Sequence, residues 1–75
     1  MEVKIISQFE NEEDFGGDPY GYYVEIEGQR VMGFGDDYHD DGGSKCEAFI
    51  KGWMYAKGVS SGEVEINYED RADWE

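Results

Sequence analysis

The sequence predicts one small α+β domain, an antiparallel sheet with a single helix packed on one face, in the order β-β-β-α-β. Three observations predict it. Apolar residues alternate with polar ones through the first third of the chain. A stripe at three-and-four spacing runs from Cys46 to Ala56. Glycine-rich, turn-forming segments separate these stretches. Seventy-five residues suffice for one core and are too few for two, so residues 1–75 form a single domain.

From Val3 to Phe9 the chain reads as a strand, with Val3, Ile5, Ser7 and Phe9 on one face and Glu2, Lys4, Ile6 and Gln8 on the other. An acidic loop follows from Glu10 to Pro19. Tyr20 to Glu27 is a second strand, aromatic and β-branched. Tyr22, Val24 and Ile26 share one side of it, and Tyr23, Glu25 and Glu27 the other. Glu27-Gly28-Gln29-Arg30 is a tight turn, with Gly28 suited to positive φ. Val31 to Gly35 returns as a third strand whose two glycines mark a bulge or a close neighbour. A second acidic loop covers Asp36 to Gly43. Ser44 and Glu47 then fit a capping box that opens a helix running to about Lys57. Cys46, Phe49, Ile50, Trp53 and Ala56 form its buried stripe, and Gly58 stops it. The last strand is expected from Glu63 to Tyr68, with Val64, Ile66 and Tyr68 facing in. It is a candidate to pair with the first strand, at an edge or in the centre. Glu69 to Glu75 reads as an acidic tail.

Composition excludes several classes of function. The chain carries 19 acidic and 6 basic residues, a net charge of −13, which argues against direct nucleic-acid binding because phosphate contacts need Lys and Arg. One cysteine cannot build a disulfide framework. No apolar run approaches the ~20 residues of a membrane span, and Met1-Glu2-Val3-Lys4 does not open a signal peptide. These absences predict a cytoplasmic protein. With 16% aromatic residues the chain has the means to bury a core, so its charge does not imply disorder.

Catalytic and metal motifs find little support. Asp37, His39 and Asp41 followed by Gly42 imitate the start of a calcium loop, but the position that needs a bidentate Glu is Ala48. Cys46 and His39 are the sole candidates for a thiol–imidazole pair. Cys46 falls on the apolar helix face, where a buried inert thiol is the ordinary reading. A domain of one sheet and one helix has little room for a pocket that would split the pKa values of its carboxylates. No enzyme activity, cofactor or metal is expected.

The distribution of acids is the informative feature. They form three blocks, Glu10 to Asp18, Asp36 to Asp41 and Glu63 to Glu75. Outward carboxylates on a strand repeat every ~6.7 Å, of the order of phosphate spacing along a nucleic-acid strand. Glu63 with Glu65, and Glu25 with Glu27, are expected to supply such rows, extended by the loops. Blocks this dense on so small a body point to a basic partner rather than to a merely solvated surface.

In size, charge and lack of catalytic equipment, the whole chain resembles small acidic phage-encoded inhibitors of bacterial defence. These are the anti-CRISPR and anti-restriction proteins that act as nucleic-acid mimics, and the resemblance is one of class rather than of motif. It implies a non-enzymatic inhibitor in the bacterial host cytoplasm. Such an inhibitor binds the basic surface where a Cas effector or another nuclease holds DNA. The residues implied are Glu12, Glu13, Asp14, Asp36, Asp37, Asp40, Asp41, Glu63, Glu65 and Glu69, with Tyr23 and Tyr55 as apolar anchors. An alternative is an immunity or antitoxin protein that neutralises a basic toxin nuclease. A third reading is a cation-binding or general interaction module centred on Asp36 to Asp41. A homodimer through the flat helix face around Tyr55, Ala48 and Gly52 stays open.

Overall fold

The computed structural model describes residues 1–35 and 42–74. Four strands and one long helix follow in the expected order: β1 (Glu2–Asn11), β2 (Gly21–Ile26), β3 (Gln29–Gly35), α1 (Gly42–Lys57) and β4 (Glu65–Trp74). Single 3-10 turns lie at Glu12–Asp14 and Ser61–Glu63. The sheet order is β3-β2-β1-β4. The first three strands are antiparallel neighbours, and β4 joins β1 in parallel, so the completed sheet is mixed. The crossover through α1 carries the chain from one edge to the other, as a parallel pairing requires. The molecule is a slab of 38 × 28 × 17 Å.

β1 and β2 are the central strands because they hold the apolar residues. Val3, Ile5 and Val24 lie on the helix side of the sheet and are fully buried with Cys46 and Ile50 of α1. Each such side chain contributes ~1.5–3 kcal/mol over its exposed state. Tyr22, Ile26, Phe34, Phe49, Met54 and Val64 pack around them. Phe9 lies beyond this cluster, buried against Phe15 edge to face at 5.2 Å.

Three local devices fix the chain path. Glu27 and Gly28 form the two-residue β2–β3 loop, both at positive φ as a type I′ hairpin demands. Gly58 at φ +68° ends α1 in a Schellman motif, its amide bonding the Tyr55 carbonyl at 3.2 Å while the Val59 amide bonds that of Met54 at 3.0 Å. In β3, Val24 pairs with Met32 while Glu25 pairs with Arg30, so Val31 is an extra residue, a bulge. Strand alternation would have placed Arg30 on the helix side with Met32 and Phe34. The bulge turns it to the opposite face.

Two boundaries differ from the sequence reading. α1 begins at Gly42, so Ser44 stands inside the first turn rather than ahead of it as an N-cap. The cause is tertiary: a Cβ at Gly42 would meet the Tyr22 ring at 2.6 Å and the Gly35 carbonyl oxygen at 2.8 Å, so only glycine fits against β2 and β3 there. The expected acidic tail is the main part of β4, held by β1 along its length. Ile66 and Tyr68 sit on the helix side as expected, but α1 lies over β2 and β3. They are therefore 42% and 64% exposed rather than core.

Two glycine substitutions in α1 should move stability in opposite directions. Gly42→Ala is expected to lower it by about 1–3 kcal/mol through overpacking against Tyr22. Gly52→Ala, at an exposed helical position with open space around it, is expected to raise it by ~0.5–1 kcal/mol. Urea midpoints of the two variants check both signs.

Candidate protein-binding surface

The charges are segregated by element. The helix segment Gly42–Lys57 holds Lys45, Lys51 and Lys57 and the single acid Glu47, while the rest of the chain holds eighteen acids and three bases. Those three bases, Lys4, Arg30 and Arg71, all stand on the sheet face that α1 does not cover. Lys4 pairs in register with Glu25 and Arg71 with Gln8 on that face, and the β3 bulge adds Arg30 to it.

That open face closes itself. Ile6 and Tyr23 are cross-strand neighbours there and both are buried, with no helix or strand of the described residues packed over them. The Arg30 guanidinium lies 4.6 Å from the centre of the Tyr23 ring, and that of Arg71 lies 5.9 Å away. Gly33 makes room: a Cβ there would stand 2.7 Å from the Arg30 Nη2. Arg71 also donates from Nη1 to the Tyr23 hydroxyl at 2.7 Å and to Glu25 Oε2 at 3.0 Å, and from Nε to Glu69 Oε2 at 3.0 Å. Lys4 reaches Glu69 at 3.4 Å and Glu2 at 3.9 Å. The hydrogen bond from Arg71, and the nearby Lys4, hold the Glu69 carboxyl below its ordinary range against some desolvation.

This geometry corrects part of the expected site. Tyr23 is not an exposed anchor: it is 8% exposed and covered by two guanidiniums. Glu25 is engaged by Arg71 and Glu27 sits in the hairpin turn, so they form no row. Glu69 is bound within the same ion-pair network. Glu12, Glu13 and Asp14 are exposed in the turn after β1. Glu10 and Asp18 lie beside them around a shallow groove, with Asp73 on the facing end of β4 accepting a hydrogen bond from Tyr20. Glu63 and Glu65 stand at the opposite end of the sheet with Glu2 and Glu27, where the Met1 ammonium donates to the Glu63 carbonyl and the Glu27 amide to that of Glu2. Most of the exposed carboxylates among the described residues thus gather at two ends separated by a ten-residue strand, ~30 Å, instead of in strand rows. Asp36, Asp37, Asp40 and Asp41, with His39, lie outside the described residues.

Tyr55 stands opposite the buried helix stripe, where its spacing placed it. It is 91% exposed in the last turn of α1, on the outer face it shares with exposed Ala48 and Gly52. Sequence reading missed Arg30 and Arg71. Arg71 was hidden in the presumed tail, and Arg30 was displaced by a bulge that only its two neighbouring glycines hinted at.

Cys46 is fully buried, and burial, aided by the charge of Glu47, pushes its thiol up to about 11. Among the described residues, no group of three or more His, Cys, Asp or Glu is placed to hold a metal ion, and no helix is long and apolar enough to cross a membrane.

Two measurements follow from these groups. Iodoacetamide should leave Cys46 unmodified in the folded protein at neutral pH and alkylate it readily in guanidinium. Because its folded pKa is raised, the stability it contributes is complete below the free thiol value and is lost as pH rises through about 11. Glu69 has the opposite sign. Its contribution is present above the ordinary carboxylate pKa and disappears as pH falls through its lowered folded value. Glu69→Gln should therefore be less stable than wild type at neutral pH, by no more than about 1 kcal/mol for a pair this solvent-exposed. The two urea midpoints should converge in acid.

Compared with protein-family models, with curated proteins and with solved structures, the chain matches none.

Proposed function

We propose that this protein is a non-enzymatic inhibitor that occupies the basic nucleic-acid-binding surface of a bacterial defence nuclease or CRISPR–Cas complex, acting as a DNA mimic. One observation carries the reading: carboxylates are concentrated at the two ends of the sheet, while the bases are drawn off to the helix and to the Tyr23 face. The separation of ~30 Å is close to the 34–36 Å of one turn of B-DNA. A groove lined with Arg and Lys to follow phosphates would meet acidic groups at both ends of such a turn.

The mechanism is competition. Exposed carboxylates of Glu12, Glu13 and Asp14 at one end, and of Glu2, Glu63 and Glu65 at the other, pair with guanidinium and ammonium groups that otherwise bind phosphate. Complementary charge speeds encounter, and the contacts buried on docking set the off-rate.

The test is capture of a bacterial nuclease or Cas complex on the immobilised protein, followed by challenge with that complex's own DNA duplex. The duplex should displace the captured protein, and binding should weaken by about tenfold or more between ~50 and ~200 mM salt. Replacing Glu12, Glu13 and Asp14 together by Gln, Gln and Asn should weaken it by about tenfold. A ternary complex with DNA still bound would overturn the mimic reading. Specific protection against a basic toxin nuclease would move the partner to that class.

A further inference from the structure

β4 is a ten-residue edge strand without Pro or a bulge, and the charges that guard it are acids apart from Arg71, so they deter an acidic strand and not a basic one. The other edge, β3, is shorter and carries the Val31 bulge, which twists an edge away from flat pairing. The hydrogen-bonding direction along β4 is fixed by its first residue: the Glu65 amide donates inward to the Met1 carbonyl at 2.9 Å. Backbone groups alternate along a strand, so the amides and carbonyls of Ile66, Tyr68, Asp70 and Ala72 point outward, away from β1. Side chains alternate with them. Ile66 and Tyr68 are exposed apolar groups on the helix side, and Tyr68 is held in place by its hydroxyl donating to Glu47 at 2.8 Å. Glu65, Glu69 and Asp73 lie on the open side.

We propose that the outer edge of β4 receives an extended segment of a basic protein as a fifth strand, its side chains alternating between basic and apolar. Charge selects the occupant. β4 holds four acids and one base, and Arg71, the base, is engaged by Glu25 and Glu69. A second copy would bring acid against acid between two chains of −13 each. An incoming segment with Lys or Arg on the open side meets Glu65, Glu69 and Asp73, and with apolar residues on the helix side it covers Ile66 and Tyr68. Main-chain bonds then supply affinity and the alternating side chains supply selection. The proposal rests on the preceding functional reading only in requiring a basic partner.

The experiment uses the full chain, isotopically labelled, and a capped heptapeptide alternating valine with lysine or arginine. Exchange of the Ile66, Tyr68, Asp70 and Ala72 amides should slow by about tenfold or more on saturation with peptide, with Asn67 and Glu69 protected before and after. Asp70→Pro removes one outward donor, a position at which edge strands accept proline. It should weaken peptide binding by about tenfold, whereas Asp70→Ala should retain it. A peptide methylated at every amide nitrogen keeps its charge, cannot donate, and should not bind, which decides the matter even if Asp70→Pro loses its protection at Asn67. Peptide binding without protection of the four outward amides would overturn the proposal. So would equal binding by the methylated peptide, or protection that appears in the protein alone and grows with its concentration. A captured partner that competes with DNA but protects none of these amides would overturn strand addition alone.

Discussion

One helix covers one face of a four-stranded sheet, and the rest of the molecule answers to that shortfall. The helix side is closed in the ordinary way, by Val3, Ile5 and Val24 against Cys46 and Ile50. Among the described residues no second layer covers the opposite face, yet β1 and β2 put Ile6 and Tyr23 there. Tyr23 is covered instead by the sheet's own long cations. Arg30 and Arg71 lie with their guanidiniums over the Tyr23 ring, and Glu25 and Glu69 hold Arg71 from the sides. Arginine suits this role because its planar cation stacks on an aromatic face while its edge donates to carboxylates. The Val31 bulge belongs to the same solution, because without it Arg30 would point to the helix side.

That use of cations shapes the electrostatics. A chain with six bases places three under structural constraint on the open face and three on the helix. What remains at the two ends of the sheet is a surplus of carboxylate, and the helix is left as a patch of opposite sign with Tyr55 exposed in its last turn. Among the described residues the exposed acidic character is therefore directional, concentrated where the strands begin and end. The same pattern distinguishes the two sheet edges. β3 is short and bulged. β4 is long, regular and acidic, with Ile66 and Tyr68 uncovered because α1 lies over β2 and β3.

The α+β class, the order of elements, the alternation of β1 and β2, the Glu27-Gly28 turn and the buried Cys46 were all legible in the residues. Each depends on periodicity or on a local backbone preference. The misplaced features have a different origin. Tyr23 looked like an anchor because its strand neighbours on that side are glutamates, and the cations that bury it come from β3 and β4. Glu69 to Trp74 looked like a tail because charged residues hide a strand whose stability comes from pairing with β1. Ser44 looked like a cap because its local motif is sound, but the contact of Gly42 with Tyr22 starts the helix earlier.

Most local elements and the sign of the charge can be read from the residues, because hydrophobic period, turn chemistry and residue counts act over a few neighbours or over the whole chain at once. Which carboxylates are neutralised, which aromatic is covered and which strand edge stays open are settled by packing between distant segments. Those outcomes depend on cross-strand register: one extra residue at Val31 changes the face of Arg30, and a parallel pairing over sixty residues of separation brings Arg71 to Tyr23 and Glu25.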